Sequence, residues 1–200
     1  MNRDVVALAM TGASGAVYGL RLLECLIQAR RQVYVMLSAP AQVVIGMETD
    51  IKLPGRPAEI EDVLATRFGA EPGQLAVFGR EQWTAPVASG SNAPRAMVIC
   101  PCTSGTLAAI AQGSSDDLLE RAADVVLKEG RKLILVHREM PLSVIHLENM
   151  LRLARMGVTI MPANPGFYHQ PQSIADLVDF VVARILDHLE IDHSFGPRWG

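Results

Sequence analysis

The chain has 200 residues, of which 50% are hydrophobic and 20% are charged, and its formal net charge is −3 at pH 7. This length suits one sizeable core rather than two ordinary domains, the composition excludes a disordered chain, and the weak charge gives no electrostatic reason to expect nucleic acid. No apolar run approaches the roughly 18 residues of a membrane helix, no signal-peptide pattern begins the chain, and three cysteines make no disulfide framework, so we expect a reduced, cytoplasmic protein without membrane contact.

The first predicted element is a buried strand at Val5–Met10, which runs directly into the turn Thr11-Gly12-Ala13-Ser14-Gly15-Ala16. Leucines at helical spacing after this turn predict a helix. A strand–turn–helix unit aims backbone N–H groups at the space above the sheet, which is a seat for an anion such as a phosphate. The competing interpretation is that the glycines only let the chain bend. It stays open because the pattern is weaker than a full dinucleotide fingerprint.

A second predicted strand, Gln32–Leu37, is followed by Ser38 rather than by an acidic residue. An NAD-binding unit usually places Asp or Glu there to hold the ribose diol, so a dinucleotide enzyme is disfavoured. A short helix is predicted over Ala39–Met47. Glu48, which follows it, is either an acid–base group near the first turn or a carboxylate in solvent.

The middle of the chain carries weaker signals. Prolines and a glycine predict a loop over residues 51–60, followed by a helix over Glu61–Phe68 and a short strand at Ala76–Phe78. Residues 83–94 show no regular spacing of hydrophobic residues and are rich in residues that favour turns. Trp83 opens this stretch and is either a packing anchor or part of a ligand wall.

The strand–turn–helix pattern recurs after a predicted strand at Ala96–Cys100. The turn Thr103-Ser104-Gly105-Thr106 leads into a helix that is predicted over Leu107–Gln112. A second such turn in one sheet indicates two anionic groups, or one ligand held at two points. Cys100 and Cys102 have no second Cys/His pair at zinc spacing, so they are interpreted as core residues and no metal is expected.

Strands and helices alternate to the C-terminus. The remaining predicted elements are helices over 118–129, 143–156 and 173–189, strands at 132–136 and 158–161, and a rigid loop over 162–171. This alternation predicts an α/β protein whose parallel sheet carries helices on both faces. We expect residues 1–190 to form one domain and residues 191–200 to form a tail.

Ligands of such sheets bind at the carboxyl ends of the strands. The residues predicted at that edge are Ser14, Ser38, Thr103, Thr106, Arg138, Glu139 and Tyr168. Lys128, Arg138 and Arg184, with the Tyr168 hydroxyl, are able to build a second anion pocket, although each cation alone is more simply a solvated surface group. Glu139 can exchange a proton with the bound anion. Ser14 has no histidine or Gly-x-Ser-x-Gly elbow to make it a nucleophile.

These motifs, in this order from about residue 5 to residue 189, resemble the UbiX flavin prenyltransferases, a family long described as aromatic-acid decarboxylases. The segments that carry the resemblance are Gly12-Ala13-Ser14-Gly15-Ala16, Ser38, Glu48-Thr49-Asp50, Pro101-Cys102-Thr103, Arg121-Ala122-Ala123-Asp124-Val125, Lys128-Glu129, Arg138-Glu139-x-Pro141, His146-Leu147 and Gly166-Phe167-Tyr168-His169-Gln170-Pro171-Gln172-Ser173. Together they are highly specific, whereas no single motif would suffice.

The resemblance implies a three-layer Rossmann-like or flavodoxin-like α/β subunit in a homo-oligomer, commonly a dodecamer, with active sites between subunits. It implies reduced FMN and dimethylallyl phosphate as substrates and no metal. The dimethylallyl group is joined to flavin N5 and C6. The product, prenylated FMN, is the cofactor of UbiD-type decarboxylases, which serve ubiquinone synthesis or aromatic-acid breakdown.

The resemblance also assigns residues to roles. The residues that match the FMN site are Gly12, Ala13, Ser14, Ser38, Thr103, Ser104, Gly105, Thr106 and Arg138. The residues that match the dimethylallyl-phosphate pocket are Trp83, Arg121, Lys128, Arg138, Glu139, Tyr168, Arg184 and Trp199, of which the two tryptophans look like aromatic walls. The implied catalytic residues are Ser14, Glu48, Lys128 and Glu139.

Two positions depart from the family pattern, and neither is expected to touch a residue with a role. His137 stands where several members have proline or another small residue, and Met140 replaces a usual threonine or alanine.

Two other functions stay open. An FMN-dependent cysteine decarboxylase of the phosphopantothenoylcysteine type needs a catalytic histidine early in the chain, whereas the first histidine here is His137. A non-catalytic flavin-binding protein needs no cluster of cations.

Overall fold

A computed structural model describes residues 5–196 of the chain. Its strands are β1 Val5–Met10, β2 Gln32–Leu37, β3 Leu75–Phe78, β4 Ala96–Cys102, β5 Lys132–His137 and β6 Thr159–Ile160. They form one parallel sheet of six strands in the order β3-β2-β1-β4-β5-β6. The predicted α/β fold with a central parallel sheet is confirmed, and its strand order is that of the doubly wound Rossmann sheet.

Helices follow the strands as the hydrophobic spacing predicts. They are α1 Ala16–Gln28, α2 Ala39–Glu48, α3 Pro57–Phe68, α4 Ser104–Gln112, α5 Leu118–Lys128, α6 Val144–Arg155 and α7 Ile174–Leu189, with two short 3-10 turns at Pro86–Ala88 and Gly90–Asn92. None of the helices within residues 5–196 has the length and apolar character needed to cross a bilayer.

Several boundaries differ from the prediction by one residue, and α4 begins at Ser104, three residues earlier than predicted. Three other differences concern α3, β4 and β6. Helix α3 begins at Pro57, inside the predicted loop, because proline is well tolerated in a first helical turn, where its missing N–H has no partner to lose. Strand β4 continues through Pro101 to Cys102, across a cis peptide bond between Cys100 and Pro101. Strand β6 keeps only the two central residues of the predicted strand 158–161.

Both faces of the sheet are covered, which explains the uninterrupted apolar runs of the central strands. The even-numbered residues of β1 pack on one side and the odd-numbered residues on the other. The first side lies under α1, α3 and α7, and the second lies under α4 and α5. Because every residue of β1 is buried, the turn that follows it starts from a fixed point.

Helix α1 lies unusually close to the sheet at Gly19. A Cβ atom built there would lie 2.2 Å from the carbonyl oxygen of Cys100 and 3.0 Å from the sulfur of Met10. Backbone and core atoms already fill that space, so any side chain at this position has to displace the helix. Gly19 therefore sets the distance between α1 and the strands β1 and β4.

We expect Gly19→Ala to lower the melting temperature by several degrees. The new methyl group pushes α1 off the Cys100 carbonyl, and this overpacking outweighs the roughly 1 kcal/mol that alanine gains over glycine in a helix. Gly46→Ala in α2 is the matched control, because a Cβ there meets nothing within 4 Å, and it should match or exceed wild-type stability. Thermal unfolding followed by circular dichroism compares the three proteins, and a Gly19→Ala midpoint at the wild-type value contradicts the close contact.

Candidate functional site

The loops after β1 and β4 are joined into one floor at the carboxyl edge of the sheet. The Thr11 hydroxyl donates to the Pro101 carbonyl oxygen at 2.8 Å and accepts from the Thr103 N–H at 2.8 Å. Thr11 is buried, and its role as a link between the two loops is not predicted by any local pattern. Strand order reverses direction between β1 and β4, which is where doubly wound sheets bind their ligands.

The start of α2 closes one side of this floor. A Cβ atom built on Gly12 would lie 2.4 Å from Cβ of Pro40, so only glycine lets the first turn pass that close. Ser38 stands at the end of β2 as predicted, donates its N–H to the Met10 carbonyl at 3.1 Å, and caps α2 by accepting from the Ala41 N–H at 3.2 Å. The N-termini of α1, α2 and α4 therefore meet above neighbouring strands.

A carboxylate occupies the N-terminus of α1. Glu48, at the end of α2, accepts from the N–H groups of Gly15 and Ala16, each at 2.9 Å. Partial burial by itself would raise the pKa of Glu48, but the hydrogen bonds from the Ser14 hydroxyl, Gly15 and Ala16, with the charge of Arg138, outweigh it and lower that pKa. The glycine turn that looked like a phosphate seat therefore holds an internal anion.

The N-terminus of α4 is arranged differently and is open. Thr103 caps this helix by accepting from the Thr106 N–H at 3.2 Å, and a Cβ built on Gly105 would meet only the Thr103 hydroxyl, at 4.0 Å. The remaining N–H groups of the first turn are thus available to an anion. Arg138 emerges from β5 toward the same edge, and its buried Nε has no hydrogen-bond partner among residues 5–196.

These features fit a phosphate-bearing cofactor such as FMN. An unpartnered buried guanidinium nitrogen and an open helix N-terminus are both donors without acceptors, and phosphate oxygens are acceptors for both. The residues that would hold the phosphate are Thr103, Ser104, Gly105, Thr106 and Arg138.

Glu139 is exposed, yet both of its carboxylate oxygens are held. Oε2 accepts from the Ser104 hydroxyl at 2.8 Å, and Oε1 accepts from the Met140 N–H at 3.2 Å. The Ser104 bond, followed by the Met140 bond, lowers the pKa of Glu139. Its carboxylate therefore lies ionised beside the first turn of α4.

The expectation that His137 and Met140 touch no residue with a role is wrong. His137 Nε2 lies 3.1 Å from the Ser104 hydroxyl, and Met140 donates to Glu139. Proximity in space produces both contacts. His137 ends β5, and Ser104 begins α4 just after the neighbouring strand β4, whereas the sequence separates the two residues by 33 positions.

The second anion pocket is not assembled within one chain. Lys128 ends α5, which runs antiparallel to the strands, so it lies at the amino edge of the sheet just before β5. The six residues of β5 span about 20 Å, which separates Lys128 from Arg138. Lys128 instead pairs with Glu129 at 2.6 Å.

The remaining pocket residues lie in two further places. Tyr168 and Arg184 line a cavity of about 870 Å³ between the 166–171 loop, α7 and residues 193–196, where Arg184 pairs with Asp187. Arg121 donates to the Ala88 carbonyl at 3.2 Å and pairs with Asp124. Trp83 follows β3 and is 48% exposed, and Trp199 lies outside the described residues.

Cys100 and Cys102 are core residues, as predicted, and Cys25 is buried as well. Cys25, Cys100 and Cys102 are free and buried, and burial raises the pKa of Cys102 to about 12 and that of Cys25 to about 11. No group of three or more His, Cys, Asp or Glu residues placed to hold a metal ion occurs in the part of the chain that the structure describes.

A crevice at the switch point of a Rossmann-order sheet, with one open anion seat, defines a nucleotide- or flavin-binding α/β protein. Comparison with known proteins gives the particular class. A family model described as Flavoprotein matches residues 1–186. The flavin prenyltransferase UbiX of Pseudomonas aeruginosa is 60% identical over 195 residues, which is 98% of this chain and 93% of that protein.

Solved structures agree. AnUbiX (PadA1), crystallised with FMN and dimethylallyl pyrophosphate, aligns with a TM-score of 0.88 at 40% identity, covering 99% of this chain and 98% of its own. A dodecameric FMN-dependent UbiX-like decarboxylase from Escherichia coli O157:H7 aligns with a TM-score of 0.87 at 40% identity, covering 98% and 99%. The chain belongs to the Flavoprotein family and, within it, to the UbiX flavin prenyltransferases.

We expect Glu48→Gln to lower the free energy of unfolding by about 1 kcal/mol at pH 7, because an uncharged amide caps α1 less well. The folded-state pKa of Glu48 is depressed, so its stabilisation is present above the unfolded-state pKa of about 4.3 and is lost as pH falls through the lower folded value. Urea unfolding at pH 7, 5 and 3 tests this. The difference from wild type should shrink toward zero at pH 3.

Glu81→Gln, in the exposed turn before Trp83, is the control and should show no such pH-dependent difference. A Glu48→Gln defect that is equally large at pH 3 and pH 7 contradicts an ionised cap.

Proposed function

We propose that this protein joins the dimethylallyl group of dimethylallyl phosphate to N5 and C6 of reduced FMN, and that a UbiD-type decarboxylase receives the prenylated FMN. One observation carries the proposal. The crevice offers an open anion seat at α4 beside an ionised Glu139, while Ser14 and Glu48 form a hydrogen-bonded pair on its other side. The 60% identity to a flavin prenyltransferase supports the same reaction.

The two glycine turns divide the binding of FMN between them. Glu48 already fills the end of α1, so a phosphate there would meet a like charge. We place the phosphate at Thr103–Thr106 and Arg138, and the flavin ring against Gly12, Ala13 and Ser14, with Ser38 closing the side. When bound, reduced flavin would supply the nucleophilic N5 and C6 atoms, and the Ser14–Glu48 pair would take up the proton that leaves N5. The bond to C6 releases the C6 proton and adds one proton to the double bond of the dimethylallyl group, so this second bond is balanced in protons.

Cations and aromatic rings assist departure of the phosphate. Breaking the allylic C–O bond builds negative charge on the leaving group, which Lys128, Arg138 and Arg184 stabilise by preorganised electrostatics. Positive charge develops on the allyl fragment, and the Trp83 and Trp199 rings attract it by about 2 kcal/mol when the site is dry. The Glu139 carboxylate exchanges a proton with the phosphate, while Arg121 and Tyr168 complete the pocket. No metal takes part.

Subunit contacts are needed to bring these groups together. Lys128 lies at the opposite edge of the sheet from Arg138 in one chain, so we propose that neighbouring subunits supply the missing cations. The apolar side chains at the start of α6 suit that contact, with Met140 85%, Val144 69% and Ile145 68% exposed. Exposed apolar patches of this kind mark association surfaces. We propose a homododecamer, as in the E. coli O157:H7 relative.

The alternative functions receive less support. A cysteine decarboxylase needs an early catalytic histidine, and His137 is buried behind Ser104. A non-catalytic flavin carrier gives no reason for an ionised Glu139 beside an anion seat.

We place the reaction in the cytoplasm, since all three cysteines are free. We treat residues 1–190 as one domain, with Ile191 of the tail also buried in its core.

The reaction is tested by mixing the protein with reduced FMN and dimethylallyl phosphate without oxygen and measuring the flavin mass. The mass should rise by C5H8, because the dimethylallyl group replaces one hydrogen of the reduced flavin. Lys128→Ala and Arg184→Ala should each lower turnover at least about 100-fold, since each removes one charge from the leaving phosphate, while FMN affinity stays near wild type. Lys52→Ala, a loop lysine that donates to the Gly46 carbonyl, is the matched control. Unchanged flavin mass with folded wild-type protein would sink the proposal.

The proposed subunit contact is tested by placing a charge on the α6 surface. Ile145→Asp should break the assembly into smaller species, because an ionised carboxylate cannot be buried unpaired in an apolar interface. Thr66→Asp, on the exposed side of α3, is the control and should keep the wild-type mass. Light scattering coupled to size-exclusion chromatography gives the masses, and an intact oligomer in Ile145→Asp contradicts this contact.

A further inference from the structure

A short chain of hydrogen bonds runs from the end of β5 to Glu139. The Ser104 hydroxyl lies 3.1 Å from His137 Nε2 and 2.8 Å from Glu139 Oε2. An ionised carboxylate can only accept, and a serine hydroxyl has one proton to give. Ser104 therefore donates to Glu139, and its oxygen accepts from the Nε2–H of His137. The direction of the chain is His137 to Ser104 to Glu139.

His137 is a rigid origin for this chain. It is 2% exposed, it is paired in register with Cys102 of β4, and its carbonyl accepts from the Ala163 N–H at 3.1 Å. Its ring centroid lies 6.0 Å from that of His146 on α6. The two ends of the chain thus differ, since one is locked in the sheet and the other is an exposed loop residue.

Burial and the neighbouring cationic groups favour the neutral form of the His137 ring. Burial, and then the nearby His146, lower its pKa, with Arg138 acting in the same direction and Glu139 opposing them. Cys102, which faces it from β4, stays a thiol because burial raises its pKa to about 12. A neutral imidazole has one N–H, and the geometry places that proton on Nε2, toward Ser104.

We propose that His137 is a positioning residue, which acts through Ser104 to fix the Glu139 carboxylate beside the open N-terminus of α4. This inference rests on the proposed role of Glu139. A carboxylate on an exposed loop is repelled by a phosphate bound next to it and has free rotamers to escape into. The strand-anchored chain opposes that escape and keeps Glu139 ionised and in place beside the first turn of α4.

Paired variants at both links test the proposal. His137→Leu removes the donor, whereas His137→Gln keeps an amide N–H in about the same place. We expect His137→Leu to lower kcat roughly 10-fold with the KM for FMN within about two-fold of wild type, in the range typical for residues that orient a functional group. His137→Gln should restore kcat to within about three-fold of wild type. Ser104→Ala and Ser104→Thr make the same comparison at the second link, where FMN affinity is measured separately.

The pH profile separates positioning from packing. Without the chain, the pKa of Glu139 rises, so the acid limb of kcat should move to higher pH in His137→Leu and Ser104→Ala and return in His137→Gln and Ser104→Thr. Equal losses in His137→Leu and His137→Gln with no movement of the limb overturn the proposal. Wild-type kcat in His137→Leu overturns it as well.

Crystal structures of the variants with FMN give a readout that does not depend on turnover. In wild type and His137→Gln, Glu139 Oε2 should stay within hydrogen-bond distance of Ser104, and in His137→Leu the carboxylate should leave that position or occupy several. An unchanged Glu139 in His137→Leu overturns the inference, even if wild type makes no prenylated flavin. If His137→Leu does not fold, Ser104→Ala decides the same question.

Discussion

A single carboxylate determines how the crevice is divided. The Glu48 carboxylate accepts hydrogen bonds from the N–H groups at the start of α1. The first strand–turn–helix unit therefore cannot hold another anion. The second unit, built on the same strand–turn–helix plan, keeps its N-terminus open because Thr103 caps it from within. Two similar motifs on neighbouring strands thus acquire opposite preferences, one for an internal negative charge and one for an external negative charge. The arrangement gives the crevice a direction, with its anion end at α4.

Local pattern was enough to predict the layers, and tertiary contacts account for what it missed. Alternating apolar runs and glycine turns predicted the parallel sheet and its ligand edge. Ser38 and Arg138 were placed at that edge because each directly follows a buried strand. Pro57 was assigned to a loop because proline marks both turns and first helical turns, and nothing local separates the two. The capping of α1 by Glu48 could not be predicted from local sequence, since the N–H groups that it accepts from lie more than 30 residues away.

The site residues divide in the same way. His137 stood out in the sequence only as a departure from a family pattern, and its contact with Ser104 follows from the alignment of β4 and β5 rather than from any motif. Lys128 is the reverse case. Its motif matches the family, yet the direction of α5 carries it to the far edge of the sheet. Residue type predicted chemistry well, whereas the chain's path decided which groups share one crevice.

Gly19 constrains how the protein can respond to substrates. With α1 seated against the Cys100 carbonyl and its first turn tied to Glu48, the helix can neither slide along the sheet nor rise from it without breaking a contact. The side of the crevice that carries Ser14 is therefore rigid. Adjustment around an incoming ligand falls to the opposite side, where Met140 and the 166–171 segment lie exposed at the surface. The rigid side of the crevice therefore selects ligands by shape, and the exposed side adjusts to them. These two properties belong to separate parts of the chain.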